Sequence, residues 1–300
     1  MKNGFENIAC PVCNSDNQAE YLKTYDRFDN SRQKLFTIVK CQNCNFVFVN
    51  PRPNSQNLGK FYEVKGYDPF LSTEQKFSIR DKFYMFLRNF NLSQKYSKIS
   101  KLKPEPGKIL DIGCATGEFL QKFREPNWQC TGVEVVEDAR NKAKSKNIAV
   151  YPSVDTLPQD SKFDIITMWH VLEHVHNLQD SVKKIESLLK KDGFLIIAVP
   201  NIDSFDAGKY GKNWIALDTP RHLYHFSTTT ISKLMEHHNL QLIKKHSIIL
   251  DILYNNLMSK NLSQTGFLKF SIILLKSLIR SYLGSKNNSS TLVYYFQKEK

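Results

Sequence analysis

Lys108-Ile-Leu-Asp-Ile-Gly-Cys-Ala-Thr-Gly-Glu-Phe-Leu120 joins a short apolar run to a turn of small residues and a helical pattern. The apolar run predicts a buried strand of a parallel sheet, because such strands are covered on both faces. Gly113, Ala115 and Gly117 permit a tight turn, after which a helix is expected to begin at Glu118. A strand, a glycine turn and a helix in this order let a ligand approach the backbone and the positive end of the helix.

Acidic residues mark the ends of the first two predicted strands. Asp111 interrupts the apolar run just before Gly113, and Glu134 ends a second strand-like run, Trp128–Val133. An acidic side chain at the tip of the second strand commonly holds both hydroxyls of a ribose. We therefore predict that Asp111, Gly113, Gly117 and Glu134 contact a nucleoside-containing cofactor.

Apolar strand-like runs and amphipathic helical patterns alternate beyond Gly107, which predicts a doubly wound α/β sheet. Further strands are expected at Ile148–Tyr151, Phe163–His170, Gly193–Pro200, Leu240–Ile249 and Thr291–Phe296.

These runs resemble the motifs of the class I S-adenosylmethionine-dependent methyltransferases, in their usual order. Residues 109–120 match the first motif, with Ala115 in place of the commoner middle glycine, and Glu134 matches the second. A nucleotide-sugar or NAD enzyme more commonly carries G-x-G-x-x-G, which is absent here. The resemblance covers roughly residues 105–250. It implies a Rossmann-like, seven-stranded methyltransferase sheet with S-adenosylmethionine as cofactor.

The resemblance also implies further cofactor contacts. Ser153 lies in the loop where relatives contact the adenine, although the residue could equally serve the turn itself. Met168 to His170 should border the methionine part of the cofactor. His170, Glu173 and His174 spell H-x-x-E-H, an inverted zinc-peptidase signature. Because this stretch follows the predicted fourth strand of a methyltransferase-like sheet, we favour a methyltransferase role, in which Glu173 and His174 orient the turn by hydrogen bonding.

The loop after the fifth strand, Trp214-Ile-Ala-Leu-Asp218 and Pro220-Arg-His-Leu-Tyr-His-Phe-Ser227, is rich in polar and aromatic residues. Ligands of open α/β sheets bind beyond the carboxyl ends of the strands, so this loop is predicted to carry the acceptor site. His222 and His225 are candidate general bases, and Arg221 is a candidate anion-binding residue. Trp214 and Tyr224 are expected to line the acceptor pocket. The alternative is a loop scaffold with internally bonded histidines.

Four cysteines form two C-x-x-C pairs, Cys10 with Cys13 and Cys41 with Cys44, separated by 27 residues. This array predicts one tetrahedral zinc with four thiolate ligands. A four-sulfur site is closed, so a structural role is expected. Apolar runs at Leu35–Val39 and Phe46–Val49 are expected to supply a ribbon hairpin.

The composition of the chain predicts three parts. Residues 1–53 form a zinc-ribbon module, residues 54–104 a helical lead-in, and residues 105–300 the cofactor-binding methyltransferase domain. Tyr62 and Tyr67 of the lead-in are candidates for a lid over the cofactor, or for core packing.

Residues 250–288 are expected to be an insertion between the last two strands. Its apolar part, residues 266–283, carries Lys269, Lys276 and Arg280 on one narrow face if it is helical. Membrane-surface contact, a lipid-like substrate, a dimer interface and packing on the parent domain are all compatible with this pattern.

The chain has 300 residues, 41% of them hydrophobic, and a net charge of +13. Such a charge suggests an anionic partner or a lysine-rich surface that favours solubility. The amino terminus has no apolar signal segment. We therefore expect a cytoplasmic location, with peripheral attachment to a membrane as the alternative.

The leading functional hypothesis is methyl transfer to a small molecule, preferably to oxygen of a sugar, a quinone-like ring or a lipid-linked precursor. The second is RNA methylation, which the positive charge favours. Many enzymes that methylate base amines carry Asn-Pro-Pro-aromatic after the fourth strand, where this chain has Met168-Trp-His170. The third is a non-catalytic zinc-ribbon binding module with a vestigial cofactor domain, against which four intact residues count: Asp111, Gly113, Gly117 and Glu134.

Overall fold

A computed structural model describes residues 4–29, 31, 34–63, 79–124, 127–283 and 288–299. The described residues form two compact units. Unit 1 comprises Met1–Tyr67, His170–Glu186 and Ile197–Gln297, and unit 2 comprises Asp68–Trp169, Ser187–Ile196 and Lys298–Lys300. The three-part division expected from the sequence stays a prediction. Tyr67, a candidate lid residue, lies outside the described residues.

The strands, in chain order, are β1 Phe5–Glu6, β2 Gln18–Tyr25, β3 Leu35–Cys41, β4 Val47–Val49, β5 Arg52–Pro53, β6 Lys108–Ile112, β7 Gln129–Val133, β8 Ala149–Tyr151, β9 Phe163–Trp169, β10 Leu189–Pro200, β11 Tyr224–His225, β12 Leu240–Ser247 and β13 Thr291–Lys298. The α-helices are α1 Ser55–Leu58, α2 Ile79–Ser100, α3 Glu118–Arg124, α4 Glu137–Lys144, α5 Leu178–Leu188, α6 Phe205–Tyr210, α7 Thr228–Glu236, α8 Ile249–Ser263 and α9 Phe267–Leu283.

The largest sheet has seven strands in the order β12-β13-β10-β9-β6-β7-β8. Strand β6 pairs in parallel with β7 on one side and with β9 on the other. The chain thus proceeds outward from β6 through β7 and β8 and then crosses back to β9. Between β6 and β9 the strand order reverses, and ligands of open α/β sheets bind at such a switch point.

The strands expected from the apolar runs of the second half of the chain are all present. Strands β6 and β9 are almost wholly buried, in agreement with their lack of an alternating pattern. The boundaries shift by a few residues. Strand β10 begins at Leu189 rather than at Gly193, so it includes the polar residues that precede Gly193.

The expected ribbon hairpin is confirmed and forms part of unit 1. Strands β3 and β4 pair antiparallel, with Val39 opposite Phe48. Their sheet has four strands in the order β11-β4-β3-β2, so a strand from the loop after β10 lies at its edge. One hydrophobic cluster joins Ile38, Val47 and Val49 of the hairpin to Trp214 and Leu217 of that loop.

The segment between β12 and β13 contains two helices, α8 and α9. Helix α9 buries Ile273 and Ser277, while much of its apolar surface is exposed. Among the helices of the described residues, none is sufficiently long and apolar to cross a membrane.

Candidate active site

The turn after β6 has the conformation that its small residues permit. Gly113, Ala115 and Gly117 all have positive φ, at 76°, 51° and 78°. For Ala115 this conformation costs about 1 kcal/mol, and its amide donates a hydrogen bond to Glu134 Oε2 at 2.9 Å. At Gly117 a Cβ atom would lie 2.7 Å from Ile148 Cδ1, so only glycine allows α3 to begin this close to its neighbours.

Glu134, directly after β7, closes the same turn from the neighbouring strand. Its side chain is buried, and its second oxygen accepts from the amide of Val136 at 2.9 Å. A carboxylate oxygen has two lone pairs, so both oxygens retain acceptor capacity. A buried carboxylate beside a left-handed glycine turn is the donor and acceptor set that a ribose diol requires, and these residues fit S-adenosylmethionine.

Asp111 lies near the carboxyl end of β6 and is also buried. The hydroxyl of Thr167 on β9 donates to Asp111 Oδ1 at 2.6 Å. Burial raises the pKa of Asp111 to about 7, although the bond from Thr167 opposes the shift. Its role toward a cofactor stays a prediction.

Ser153 caps the short turn that follows β8. Its hydroxyl accepts from the amide of Asp155 at 3.3 Å, and Thr156 completes the cap by accepting from the Ser153 amide. The local turn therefore accounts for this serine, and its contact with adenine stays a prediction.

His170 follows β9 in a left-handed conformation, with φ at 58°. Its Nε2 lies 3.1 Å from Asp251 Oδ2 on α8, and its Nδ1 lies 3.3 Å from Glu173 Oε1. Burial disfavours the charge of His170, but these two carboxylates outweigh it and raise the pKa to about 10. Its predicted contact with the cofactor is untested.

Glu173 is fully buried, and its Oε2 has no hydrogen-bond partner within the described part of the chain. Burial by itself would raise its pKa, whereas the bond to His170 and the nearby histidines lower it to about 2. A buried carboxylate with an unused oxygen needs a partner, or a ligand, on that side.

Two histidines complete a cluster around Glu173. One carboxylate oxygen of Glu173 and one ring nitrogen each of His174 and His222 lie within 4.8 Å of one another. The rings of His174 and His222 meet edge to face at 4.6 Å between centroids. These three residues could share a proton or hold a divalent cation.

Each histidine of this cluster also contacts a backbone carbonyl. Nδ1 of His222 lies 2.8 Å from the carbonyl of Ala216, and Nδ1 of His174 lies 3.2 Å from that of Arg221. Because a carbonyl only accepts, Nδ1 of His222 must carry the proton. Nε2 of a neutral His222 is therefore an acceptor, as a general base requires. Burial and the neighbouring His222 lower the pKa of His174 to about 4.

Arg221 occupies a buried ion-pair network within unit 1. Within the described residues its guanidinium donates hydrogen bonds to the carboxylates of Asp26 and Asp218 and to the carbonyl of Phe61. The side chain is fully buried. These are the contacts of a structural ion pair, and the predicted role of Arg221 toward an acceptor stays a prediction.

The remaining residues predicted for the loop are also enclosed. Tyr224 donates to the carbonyl of His176 and accepts from Arg52, at 2.8 and 2.7 Å. Trp214 is buried in the hydrophobic cluster of the hairpin. His225 is buried, which lowers its pKa to about 3, and its Nε2 has no partner in the ranges that the structure describes. Packing thus explains Trp214 and Tyr224, whose contact with an acceptor is untested.

The four cysteines of the ribbon come together in unit 1. Their sulfur atoms all lie within 4.8 Å of one another, with 3.5 Å from Cys10 to Cys44 and from Cys13 to Cys41. Zn–S bonds of about 2.3 Å give a tetrahedron with edges of about 3.8 Å, so the donor set fits zinc.

The two cysteine pairs are built alike, and an asparagine, Asn14 or Asn45, follows each pair. Asn14 and Asn45 each adopt positive φ, and each amide donates back to the carbonyl of the first cysteine of its pair. The two turns therefore present their thiols in the same local geometry.

Sequence reasoning missed two partners of these residues. Asp251 lies in the segment predicted as an insertion, and Asp26 lies in the ribbon, far along the chain from Arg221. A lone acidic residue in a polar loop gives no signal of its partner. A basic residue inside an aromatic run, such as Arg221, does indicate that some buried acid must exist.

A mostly parallel seven-stranded sheet, with a glycine turn after a central strand and an acidic residue after its neighbour, defines the class I S-adenosylmethionine-dependent methyltransferases. The Methyltransferase domain family model matches residues 84–245. This match covers more than half of the chain, and the chain belongs to this family. The fold and class expected from the sequence are confirmed.

Curated relatives carry one recurring description. The chain is 36% identical to the ubiquinone biosynthesis O-methyltransferase of Glaesserella parasuis serovar 5 (strain SH0165) over 107 residues, 31% of this chain and 45% of that protein. It is 22% identical to the protein so named from Pelagibacter ubique (strain HTCC1062) over 211 residues, 66% and 83% of the two chains. The chain thus spans less than half of the first relative.

A solved structure is similar in fold. Magnesium protoporphyrin IX methyltransferase from Synechocystis PCC 6803 superposes with a TM-score of 0.50 at 11% identity, covering 75% of this chain and 90% of that one.

Proposed function

We propose that this protein transfers a methyl group from S-adenosylmethionine to a hydroxyl oxygen of a small, quinone-like ring. The observation that supports it is the similarity to proteins named ubiquinone biosynthesis O-methyltransferase, which extends over as much as 66% of this chain. The glycine turn and Glu134 are consistent with the cofactor, and His222 supplies a base for the acceptor.

S-adenosylmethionine, when bound, supplies a methyl group that its sulfonium has already activated. The residues of the chain then have two tasks: to place the acceptor oxygen in line with the methyl carbon, and to remove the hydroxyl proton. Positioning provides most of the acceleration, and a general base contributes about 10²–10⁴-fold for a weakly acidic hydroxyl.

His222 is the group we assign to proton removal. Its Nδ1–H is engaged with Ala216, so Nε2 presents its lone pair. When Nε2 takes the proton the ring becomes cationic, and the ionised Glu173 within 4.8 Å stabilises that charge. The proton of the acceptor hydroxyl would thus move to Nε2 of His222, and S-adenosylmethionine, held at the glycine turn and Glu134, would supply the methyl group and keep the electron pair of the bond to its sulfur. His225 and Arg221 remain secondary candidates.

The same proposal assigns a structural zinc to Cys10, Cys13, Cys41 and Cys44. The support is the donor set of four sulfurs within 4.8 Å and the matching geometry of the two turns. Metal analysis of protein purified without chelators should find one zinc per chain.

RNA methylation is the second candidate, favoured by the net charge of +13. One experiment distinguishes methylation of a small molecule from methylation of RNA. The purified protein is incubated with S-adenosylmethionine labelled in its methyl group and with either small catechols and hydroquinones or total RNA. A matched Asp111→Ala variant controls for background. Label in the small phenols supports the proposal, and label in RNA alone reverses it.

A further inference from the structure

The exposed apolar residues of this protein are concentrated on α8 and α9. Of the 16 large hydrophobic side chains that are exposed among the described residues, ten lie on these two helices. Single exposed hydrophobic residues are ordinary on a protein surface, whereas a contiguous group marks an interaction site.

The exposed residues of α9 form a regular stripe. Leu268, Ile272, Leu275, Ile279 and Tyr282 recur at intervals of four and three residues, all at 46% exposure or more. At 100° per residue they lie within one narrow face that runs about 21 Å along the helix. The opposite face carries the buried Ile273 and Ser277. Packing on the parent unit therefore leaves this stripe uncovered within the described chain.

Basic residues border the stripe on one side. Lys269, Lys276 and Arg280 each follow directly on a member of the stripe, so all three lie on the same flank. Helix α9 contains no acidic residue. The acidic residue of α8 is Asp251, which is engaged with His170, and Lys260 lies near its end.

Helix α8 adds to the apolar surface. Ile249, Leu253 and Leu257 recur every four residues and are exposed, and Tyr254 is 56% exposed. Tyrosine is favoured where one end of the side chain is apolar and the other is wet, as in the headgroup region of a bilayer. Tyr282 at the far end of α9 is 80% exposed.

We propose that the α8–α9 face docks onto the surface of an anionic lipid bilayer. An apolar stripe with a basic flank is the arrangement by which helices lie in the plane of a membrane interface, with the apolar side chains among the acyl chains and the cations at the headgroups. A second copy of the chain brings the same positive flank and offers no complementary charge. Docking on a membrane would give the enzyme access to an acceptor ring that carries a lipid tail, and in this respect the inference rests on the proposed function. The test of membrane binding does not depend on that function.

The test is vesicle co-sedimentation of the full chain. Phosphatidylcholine vesicles with phosphatidylglycerol should bind the protein, those without it much less, and salt should weaken the binding. Each basic residue near an anionic surface contributes about fivefold in affinity, so the double variant K269Q/K276Q should bind about 25-fold more weakly. The double variant L268S/L275S, which changes two exposed residues, should bind the anionic vesicles about tenfold or more weakly.

The matched control is K142Q/K144Q, which removes two exposed lysines from α4. It should bind like the wild type. Equal binding by K269Q/K276Q and K142Q/K144Q overturns the proposal, as does failure of the wild type to bind anionic vesicles. Self-association in sedimentation experiments that L268S/L275S abolishes would make the face a dimer interface and likewise overturn it. Because binding is measured without turnover, the result is independent of whether a quinone-like acceptor is methylated.

Discussion

Tyr224 pairs with Phe48 across two antiparallel strands, so a strand of the loop after β10 is the outermost strand of the cysteine-bearing ribbon sheet. The amide of Val49 donates to the carbonyl of Leu223 at 2.9 Å, and Arg52 bonds the hydroxyl of Tyr224. The ring of Phe46 lies 5.4 Å from that of Phe226. The ribbon is thus a scaffold for the loop that carries His222.

Loss of the metal should therefore loosen this loop. In the double variant C13S/C41S we expect the amide of Val49, which donates to the carbonyl of Leu223, to exchange with solvent at least about tenfold faster, because β4 loses the turns that hold it. Hydrogen exchange with mass spectrometry measures this, alongside zinc content. Cys130→Ser is the control, since Cys130 lies outside the cluster. Unchanged exchange in the zinc-free variant would mean that the loop is held by its own packing.

Removal of Arg221 should destabilise the fold before it affects chemistry. Arg221→Ala removes a cation from the buried carboxylates of Asp26 and Asp218, of which Asp218 still pairs with Arg27, and this loss costs about 3–5 kcal/mol of unfolding free energy. Denaturant unfolding measures the loss. Arg124→Ala, at an exposed position, should change stability by less than about 0.5 kcal/mol. A stable Arg221→Ala protein that is inactive would instead restore the role of this residue toward the acceptor.

The sequence predicts features that depend on residues close together in the chain, and it misses contacts between residues that are far apart in it. Consecutive apolar residues predict strands β6 and β9. The spacing of the cysteine pairs, which metal geometry requires, predicts the zinc site. The pairing of Arg221 with Asp26 joins residues 195 positions apart. Pairing over such a distance depends on the tertiary fold, so the sequence indicated that Arg221 needs a polar partner without identifying it. Likewise, the sequence proposes both His222 and His225 as general bases, and only their contacts in the structure favour His222 over His225.

Glu134 provides a direct test of the cofactor site. Glu134→Ala should weaken binding of S-adenosylmethionine by about 1.5–3 kcal/mol, the scale of a hydrogen bond to a charged group. Titration calorimetry measures the affinity. Glu137→Gln, which changes an exposed residue at the start of α4, is the control. Equal affinities for Glu134→Ala and the wild type would remove Glu134 from the site.

His170 should stay protonated well above neutral pH. Its pKa is raised to about 10 against an ordinary value of about 6.5, so the ion pair stabilises the fold fully below pH 6.5 and is lost as pH rises toward 10. Asp251→Asn removes one of the two carboxylates and should lower this pKa. Proton NMR of the imidazole measures it, with Asp138→Asn as an exposed control. Titration of wild-type His170 near pH 6.5 would contradict the expectation.

His222→Gln should reduce turnover by about 10²–10⁴-fold while leaving the affinity for S-adenosylmethionine nearly unchanged. The reason is that glutamine can still donate to the carbonyl of Ala216 but cannot take the acceptor proton. His237→Gln, at the exposed C-cap position that follows α7, is the matched control and should turn over normally. Single-turnover rates at saturating cofactor separate the chemical step from binding.

Because Glu173, His174 and His222 could also hold a cation, the same assay is repeated after mild chelation under conditions that keep the zinc of the four cysteines. Activity that survives chelation but falls in His222→Gln supports proton removal by His222. Activity lost on chelation and restored by added Mg²⁺ or Zn²⁺ would instead assign the cluster to a metal ion, with His222 as one of its ligands.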